Sequence, residues 1–304
     1  MIRRFIEHWF GRTEPYPIAA FRILFGVYLL AYFGSFAPHV VLSFSSSGVY
    51  VPYGIADFAP TALAACILYG VTVLAIVGFI LGVATRVLTP ALLVLYVHHF
   101  LLNLAVKDTA YDRLNLILLF ILCFADLEGA WALGAIRRRA VSAWATRMVA
   151  LQIALLYLGS GLWKLTNPYW HEGAMLKMTL AGPWGTELAF ALLGLDLTDR
   201  AYGLLVWSVI GIELALPFLL YSRRLRPAGI ALGVLFHLAN AFLLSLPEFL
   251  SCVTAYVVFA SPDTVRRAGD VLLPAFLVGT ANDSDPASRH GEQGYGLRPR
   301  RGPC

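Results

Sequence analysis

The chain is poor in charge, because Asp, Glu, Lys and Arg make up only 13% of its 304 residues while hydrophobic residues make up 59%. Soluble domains carry roughly 25% charged residues, so this is not the composition of an ordinary soluble protein. Cysteine is also scarce, and Cys66, Cys123 and Cys252 all lie inside apolar runs. With no CxxC pair and no metal-like spacing, the sequence predicts neither a disulfide framework nor a metal site.

The hydrophobic residues form long runs rather than alternating strands. Runs of about 20 residues suit helices that cross a hydrocarbon core of ~30 Å, where every backbone polar group must be satisfied internally. We therefore predict an all-α, polytopic membrane helix bundle with about eight transmembrane helices. The predicted spans are 17–36, 61–82, 87–106, 113–133, 146–165, 201–221, 227–246 and 248–262.

Two terminal segments are predicted to lie outside this bundle, which covers residues 15–265. Residues 1–14 place apolar side chains on one helical face, as in an amphipathic helix at a membrane surface. Residues 266–304 are rich in Gly, Pro and Arg and hold too little apolar surface to fold alone. We interpret them as a disordered tail.

The distribution of basic residues predicts the orientation of the bundle in the membrane. With a cytoplasmic N-terminus, 17 of the 23 Lys and Arg residues fall on the inner side and 5 on the outer side, with Arg22 inside the first span. Positive residues concentrate on cytoplasmic loops, so we predict that both termini are cytoplasmic. Because the net charge of +5 is explained by topology, no nucleic-acid partner is expected.

Ionisable residues inside predicted spans need an explanation, because each costs roughly 2.5–3.5 kcal/mol to insert. Arg22 lies about one turn into the first span, and we expect a structural role. It would either extend to the cytoplasmic surface or pair with a carboxylate such as Glu213. Glu213, in the sixth span, must itself be protonated, paired or hydrogen-bonded.

Lys164 closes the fifth span and is the strongest candidate for chemistry. A lysine beside Trp163 at a helix end is ordinarily an interface anchor. However, Gly159 and Gly161 permit close helix approach just below it. Desolvation disfavours the ammonium form of a lysine, so such a residue can serve as a base. The segment that follows adds the aromatic and titratable side chains of Trp170, His171 and Glu172.

Further polar residues fall in the outer halves of neighbouring spans. His98 and His99 are adjacent in the third span, so at most one of them readily faces a shared pocket. At the start of the fourth span, Asp112 is expected to be solvated, whereas Asn115 lies deeper and is expected to face inward.

In the seventh span, His237 and Asn240 are three residues apart and so share one helix face. The simplest arrangement that uses these residues together is a pocket opening to the non-cytoplasmic side. A purely structural role for His237 is equally compatible with the sequence.

Three segments resemble the membrane domain shared by vitamin K-dependent γ-glutamyl carboxylase and bacterial proteins of the horizontally transferred transmembrane (HTTM) domain family. They are Ala-Phe-Arg-Ile-Leu-Phe-Gly in the first span, Gly-Leu-Trp-Lys-Leu followed by Trp-His-Glu-Gly around Lys164, and Phe-His-Leu-Ala-Asn around His237. The resemblance covers about residues 10–265. It implies a multi-pass protein of the bacterial inner membrane.

The resemblance also implies chemistry. It assigns Lys164 the role of the base that deprotonates vitamin K hydroquinone or another lipid quinol, and it gives His237 a role in the pocket. Substrate contacts are then expected from the remaining polar and aromatic residues singled out above: Trp163, Trp170, His171, Glu172, Asn240, Asn115, His98 and Glu213. No metal is predicted.

Protein carboxylation itself is not expected, because the carboxylase continues into a long non-cytoplasmic domain and this chain continues for only about forty residues after its last predicted span. A membrane enzyme acting on a lipid quinol is therefore the leading interpretation. The alternatives are a non-catalytic factor or transporter that binds a small molecule or peptide in the same outward pocket, and an assembly subunit whose polar residues stabilise helix packing. No inverted repeat of broken spans favours a transporter.

Overall fold

The computed structural model describes residues 2–49, 59–103, 110–133, 139–171, 173–195 and 197–274. Its helices in chain order are α1 Ile2–Phe10, α2 Tyr16–Gly34, α3 Val40–Phe44, α4 Ala62–Leu81, α5 Thr85–Asn103, α6 Ala110–Cys123, α7 Trp144–Thr166, α8 Ala174–Ala181, α9 Glu187–Leu193, α10 Asp199–Tyr221, α11 Arg226–Leu244, α12 Leu250–Ala255 and α13 Pro262–Leu272. Short 3₁₀ helices cover Ala37–His39, Pro168–Trp170, Pro247–Phe249 and Tyr256–Phe259. The strands β1 Arg12–Thr13 and β2 Val141–Ser142 form a small antiparallel ladder. The predicted all-helical fold is confirmed.

Six helical segments in the described part of the chain are long and apolar enough to cross a membrane: Tyr16–Phe44, Ala62–Leu81, Thr85–Leu102, Trp144–Thr166, Asp199–Tyr221 and Arg226–Leu244. The other two predicted spans correspond to shorter helical stretches, α6 and Pro247–Phe259. The count of eight therefore stays a prediction.

The predicted span 113–133 extends too far, because α6 ends at Cys123. The next ten residues are fixed by polar contacts that a span would not make. Glu128 Oε1 accepts hydrogen bonds from the Thr85 backbone N–H at 2.7 Å and from its hydroxyl at 2.9 Å. Arg139 pairs with Asp126 at 2.7 Å. These contacts hold a loop at the α4–α5 end of the bundle.

Several helix ends follow from local sequence. Thr61, Thr186 and Thr198 precede α4, α9 and α10, and each hydroxyl accepts a backbone N–H of the first turn. Gly82 ends α4 with φ of +71°, a left-handed conformation that suits glycine. A Cβ at this position would also lie 2.2 Å from Arg22 Nη1.

Arg22 is completely buried in α2. Its Nη1 donates to the carbonyl of Leu127 at 2.7 Å, and its Nη2 donates to the carbonyl of Trp131. Neither arrangement expected for Arg22 is found: its side chain is completely buried and so does not extend to the surface, and a pair with Glu213 is wrong because Glu213 pairs with Lys164. Arg22 instead joins the first long helix to the loop that follows α6.

The main core lies between α2, α4, α5, α6, α7, α10 and the stretch 250–259, with α2 packing against α4, α7, α12 and Tyr256–Phe259. The long helices also expose large apolar side chains on their outer faces, including Leu63, Leu74, Val94, Leu204 and Phe218. A soluble protein would not present so continuous an apolar surface, whereas a lipid-facing bundle does.

Candidate functional site

Lys164 and Glu213 form a nearly buried ion pair between α7 and α10, with side chains 13% and 7% exposed. Lys164 Nζ lies 2.7 Å and 2.8 Å from the two carboxylate oxygens of Glu213. It also donates to Ser160 Oγ at 2.7 Å, and Ser160 in turn donates to Glu213 Oε1 at 3.0 Å. Every oxygen and nitrogen at the centre of this group is therefore hydrogen-bonded, which compensates the cost of burying two charges.

Gly161 makes the close approach of the two helices possible. A Cβ at Gly161 would lie 2.8 Å from Leu214 Cδ2 and 3.3 Å from Glu213 Cβ, so a side chain there would push α10 away. Gly159, which the sequence grouped with it, has open space around it. The helix contact therefore depends on one of the two glycines.

Lys164 was predicted to lie at a helix end, but the ion pair lies farther from the end of the bundle than that position suggests. Glu213 comes fourteen residues after Asp199, the first residue of α10, so about 21 Å of α10 extends beyond the pair. The segment with α8 and α9 packs against this extension and the end of α11. Lys164 is consequently covered by residues that follow it in the chain.

One aromatic ring lies beside the ammonium group, and further rings follow from it. Lys164 Nζ lies 5.1 Å from the centroid of the Trp170 ring, and Trp163 contacts Trp170 edge-on at 6.2 Å. His171 stacks on Trp207 of α10 at 5.1 Å, and its Nε2 lies 2.9 Å from the carbonyl of Leu165. Four of the predicted site residues therefore meet at one place, together with Glu213. Glu172 lies outside the described residues.

His237 forms a second polar group, on the same side of α7. Tyr157 Oη lies 2.5 Å from His237 Nε2 and is also hydrogen-bonded to Tyr256 Oη. All three residues are buried. Asn240, predicted to act with His237, instead donates to the carbonyl of Phe236 in its own helix at 3.0 Å.

Asn115 and His98 lie on helices that build a different part of the bundle. Asn115 Nδ2 donates to Tyr96 Oη at 3.0 Å and to Tyr28 Oη at 3.2 Å. His98 is half-buried on α5, where its ring meets the edge of the His99 ring. Their described contacts are with α2 and α5, rather than with Lys164 or His237.

The expectation that Asp112 is a solvated helix start is wrong, because this residue is 4% exposed. Its Oδ1 accepts hydrogen bonds from Tyr32 at 2.7 Å and from Tyr96 at 2.8 Å. The tyrosines come from α2 and α5, so tertiary packing rather than local sequence determines the environment of the carboxylate.

Ser160, Tyr157 and Tyr256 are the site residues that sequence reasoning missed. Ser160 and Tyr157 precede Lys164 by four and seven residues, which places all three on one face of α7. That spacing was available as a signal. Tyr256 carried no such signal, because its partner Tyr157 is far away in the chain.

Chemically, the Lys164 group brings an ammonium, a carboxylate and a hydroxyl into direct contact beside an indole ring. Among the residues described, no group of three or more His, Cys, Asp or Glu side chains could hold a metal ion.

The lipid-facing helices and the buried polar groups between them define a polytopic, all-helical integral membrane protein. The HTTM domain model matches residues 10–263, so the chain belongs to the HTTM domain family. Comparison with curated proteins and with solved structures gives no match.

Proposed function

We propose that the protein binds a reduced lipid quinol beside Lys164 and uses this lysine to remove a proton from the ligand's phenolic hydroxyl. The observation that carries the proposal is the position of Lys164 Nζ, nearly buried, bound to Glu213 and covered by the Trp170 ring. The resemblance of the Lys164 and His237 segments to the vitamin K-dependent carboxylase supports the same choice of ligand.

Glu213 gives Lys164 a way to become a base. While the ion pair is closed, Nζ carries three protons and cannot accept another. Transfer of one of them to the Glu213 carboxylate leaves a neutral amine and a neutral acid, a form that a low-dielectric setting tolerates. The amine can then take the hydroxyl proton, and Ser160 keeps Nζ in place during the exchange. A bound quinol supplies this ionisable hydroxyl and two electrons.

The residues around Lys164 fit an aromatic ligand with polar oxygens. Trp163 and Trp170 offer ring faces and edges of the kind that pack against a quinol ring. The indole N–H of Trp170 is buried and has no hydrogen-bond partner among the described residues. A ligand oxygen beside Lys164 would give this donor a partner, which removes the cost of an unsatisfied buried group.

The membrane arrangement completes the proposal. We place both termini in the cytoplasm, count α6 and Pro247–Phe259 as short crossings, and lay α1 on the inner membrane surface of a bacterial cell. No residue of α1 is buried, and Ile2, Phe5, Ile6 and Phe10 on its apolar face are exposed, as an interfacial helix requires. The ligand then enters from lipid or from the non-cytoplasmic side, and a small-molecule or peptide acceptor is expected on that side.

A non-catalytic role is the second candidate, and one observation favours it. All three N–H donors of Lys164 can be used by Ser160 and the two oxygens of Glu213, so the group is complete without a ligand. In that case the lysine joins α7 to α10, and the protein acts as a binding, transport or assembly factor.

Measuring oxygen consumption with a defined quinol distinguishes the enzymatic function from the non-catalytic one. The purified protein in lipid nanodiscs is given vitamin K hydroquinone or ubiquinol, and wild type is compared with Lys164→Met. We expect the quinol-dependent rate to fall by about 10²-fold or more, since general-base catalysis contributes that much.

Lys177→Met is the matched control, because Lys177 is also on the outer side and also pairs with a carboxylate, that of Asp199. Its rate should stay close to that of wild type. Equal rates in wild type and Lys164→Met, or no rate with either quinol, would contradict the enzymatic proposal and favour the non-catalytic one.

A further inference from the structure

A groove with a volume of about 510 Å³ lies between the short helix α3 and α4. Its lining comes from the 3₁₀ turn Ala37–His39, residues 40–42 of α3, Ser47, and Cys66 and Tyr69 of α4. Pockets of roughly 300–1,000 Å³ are large enough to hold small-molecule ligands. None of these elements carries a residue of the Lys164 site, so the groove is a separate feature of the molecule.

One wall of the groove is the exposed face of α3. The opposite face of this helix is buried, because Val40 and Phe44 are 8% and 2% exposed and pack against α4 and α5. Val41 and Leu42, by contrast, are 38% and 53% exposed and line the groove. The packing of the buried face holds this wall in place and leaves its apolar side chains uncovered.

The other wall is one face of α4. Cys66 and Tyr69 are three residues apart, so they lie next to each other on this helix. The Tyr69 hydroxyl donates to the carbonyl of Phe33 in α2 at 2.9 Å, which fixes the position of the ring. The Cys66 side chain is exposed. Both walls are therefore formed by contacts within the protein, and the groove exists before any ligand enters it.

The groove opens onto the lipid-facing surface of α4. This helix is long and apolar enough to cross a membrane, and it begins at Ala62. Cys66 and Tyr69 lie about 6 and 10.5 Å along it from that end. Leu63 and Ile67, which neighbour Cys66 on the helix surface, are 72% and 57% exposed. The apolar wall of the groove is thus continuous with side chains that contact lipid chains.

The chemistry of the lining favours a lipid over a peptide. No Asp, Glu, Lys or Arg is among the described residues that line the groove, so it offers no partner for a buried charge. A peptide segment at this depth would also need partners for its backbone N–H and C=O groups. An acyl chain has neither requirement. His39 and Ser47 are available for the ester region of a lipid, because the Tyr69 hydroxyl already donates to Phe33.

We propose that the groove binds one acyl chain of a phospholipid from the adjoining leaflet. The inference does not depend on the quinol reaction. Under the orientation proposed above, this leaflet is the non-cytoplasmic one. An acyl chain that leaves the bilayer for the groove exchanges one apolar environment for another, so shape and polar contacts select the lipid rather than hydrophobic transfer. The bound chain lies across α3 and α4 and joins them.

The Cys66 thiol reports directly on the groove. Cys252 is fully buried, so in a Cys123→Ala, Cys304→Ala background N-ethylmaleimide reacts with Cys66. The protein is kept in detergent, dioleoylphosphatidylcholine is titrated in, and the alkylation rate is measured. With the lipid at about ten times its Kd the rate should fall about tenfold, because a bound chain covers the thiol.

Ile67→Cys in a Cys66→Ala background is the matched control, since position 67 is exposed on the same turn of α4 but does not line the groove. Its alkylation rate should change little. Glycerophosphocholine, which has the headgroup without the chains, should leave Cys66 reactive. Equal protection of the two thiols, or protection of Cys66 by glycerophosphocholine, would overturn the acyl-chain site.

Filling the groove tests the same inference from the α3 wall. Native mass spectrometry is carried out at a lipid concentration that protects Cys66. Wild type and Ile67→Trp should each carry one more phospholipid than Val41→Trp, whose indole occupies the groove. Equal numbers of bound lipids in the two tryptophan variants would contradict the site. Should Val41→Trp fail to fold, the alkylation experiment decides, because it leaves the groove itself unchanged.

Discussion

At the scale of single residues, the molecule depends on buried charges that each have at least one partner from another helix or from a loop. Lys164 has Glu213 and Ser160, Arg22 has two loop carbonyls, and Asp112 has two tyrosine hydroxyls. Breaking a buried ion pair by removing one partner leaves the other charge uncompensated, whereas removing both can be nearly neutral. The Lys164 pair therefore stabilises the fold only as a pair.

Single and double substitutions should show this difference. Glu213→Leu should lower the free energy of unfolding by about 3–5 kcal/mol, while Lys164→Met combined with Glu213→Leu should recover most of the loss. Thermal unfolding in one detergent at fixed concentration measures both.

Lys177→Met again serves as the control, since the pair of Lys177 with Asp199 is largely exposed and screened by solvent, so its loss should leave thermal unfolding nearly unchanged. A double variant as unstable as Glu213→Leu would mean that the loss comes from packing around Glu213 rather than from the uncompensated charge.

The sequence predicted these residues better than it predicted their partners. Glu213 and Lys164 could be singled out because charge is expensive at bilayer depth, and each needs a partner. Which groups pair depends on which helices are neighbours, and no local pattern contains that information. The burial of Asp112 and the contact of Tyr157 with Tyr256 were missed for the same reason.

At the scale of helices, α7 and α10 are offset rather than level. Gly161 allows their contact at the ion pair, and α10 then extends outward to meet the segment that contains α8 and α9. Long apolar runs made these two helices predictable. The end of α6 was less predictable, because the residues after Cys123 are nearly as apolar as a span. Their loop structure is determined by contacts with Arg22 and Thr85.

Two glycine substitutions on α7 should differ sharply. Gly161→Val places side-chain atoms where Leu214 and Glu213 already lie, so it should separate the helices, cost about 1–3 kcal/mol and abolish activity that depends on Lys164. Gly159→Val, two residues away, meets open space and should be tolerated. Thermal unfolding and the oxygen assay measure both effects; similar losses at the two positions would contradict the close-approach role of Gly161.

At the scale of the whole molecule, the proposed direction in the membrane rests on the distribution of 23 basic residues. Ligand access to the Lys164 site depends on this direction, because the direction decides which compartment the segment after α7 faces. The helices themselves are the same in either orientation.

Topology reporters test the direction. A reporter fused after residue 175 should be active on the non-cytoplasmic side, and one fused after residue 224, between α10 and α11, on the cytoplasmic side. Alkaline phosphatase and a fluorescent protein, which are active on opposite sides, give complementary readouts. A cytoplasmic signal after residue 175 would reverse the predicted direction.

The packing of Tyr256–Phe259 and α12 against α2 has a consequence for how the protein is made. The first long helix leaves the ribosome more than 200 residues before the segment that completes its surroundings. At roughly 5–20 residues per second, α2 waits on the order of 10–50 s for that partner. Tyr157 is made 99 residues before Tyr256, so for roughly 5–20 s of this interval it lacks that partner and the nascent bundle holds an unfinished polar group. Assembly is therefore timed by the synthesis of residues 250–259, and chaperones or lipids that shield the surface of α2 have tens of seconds in which to act.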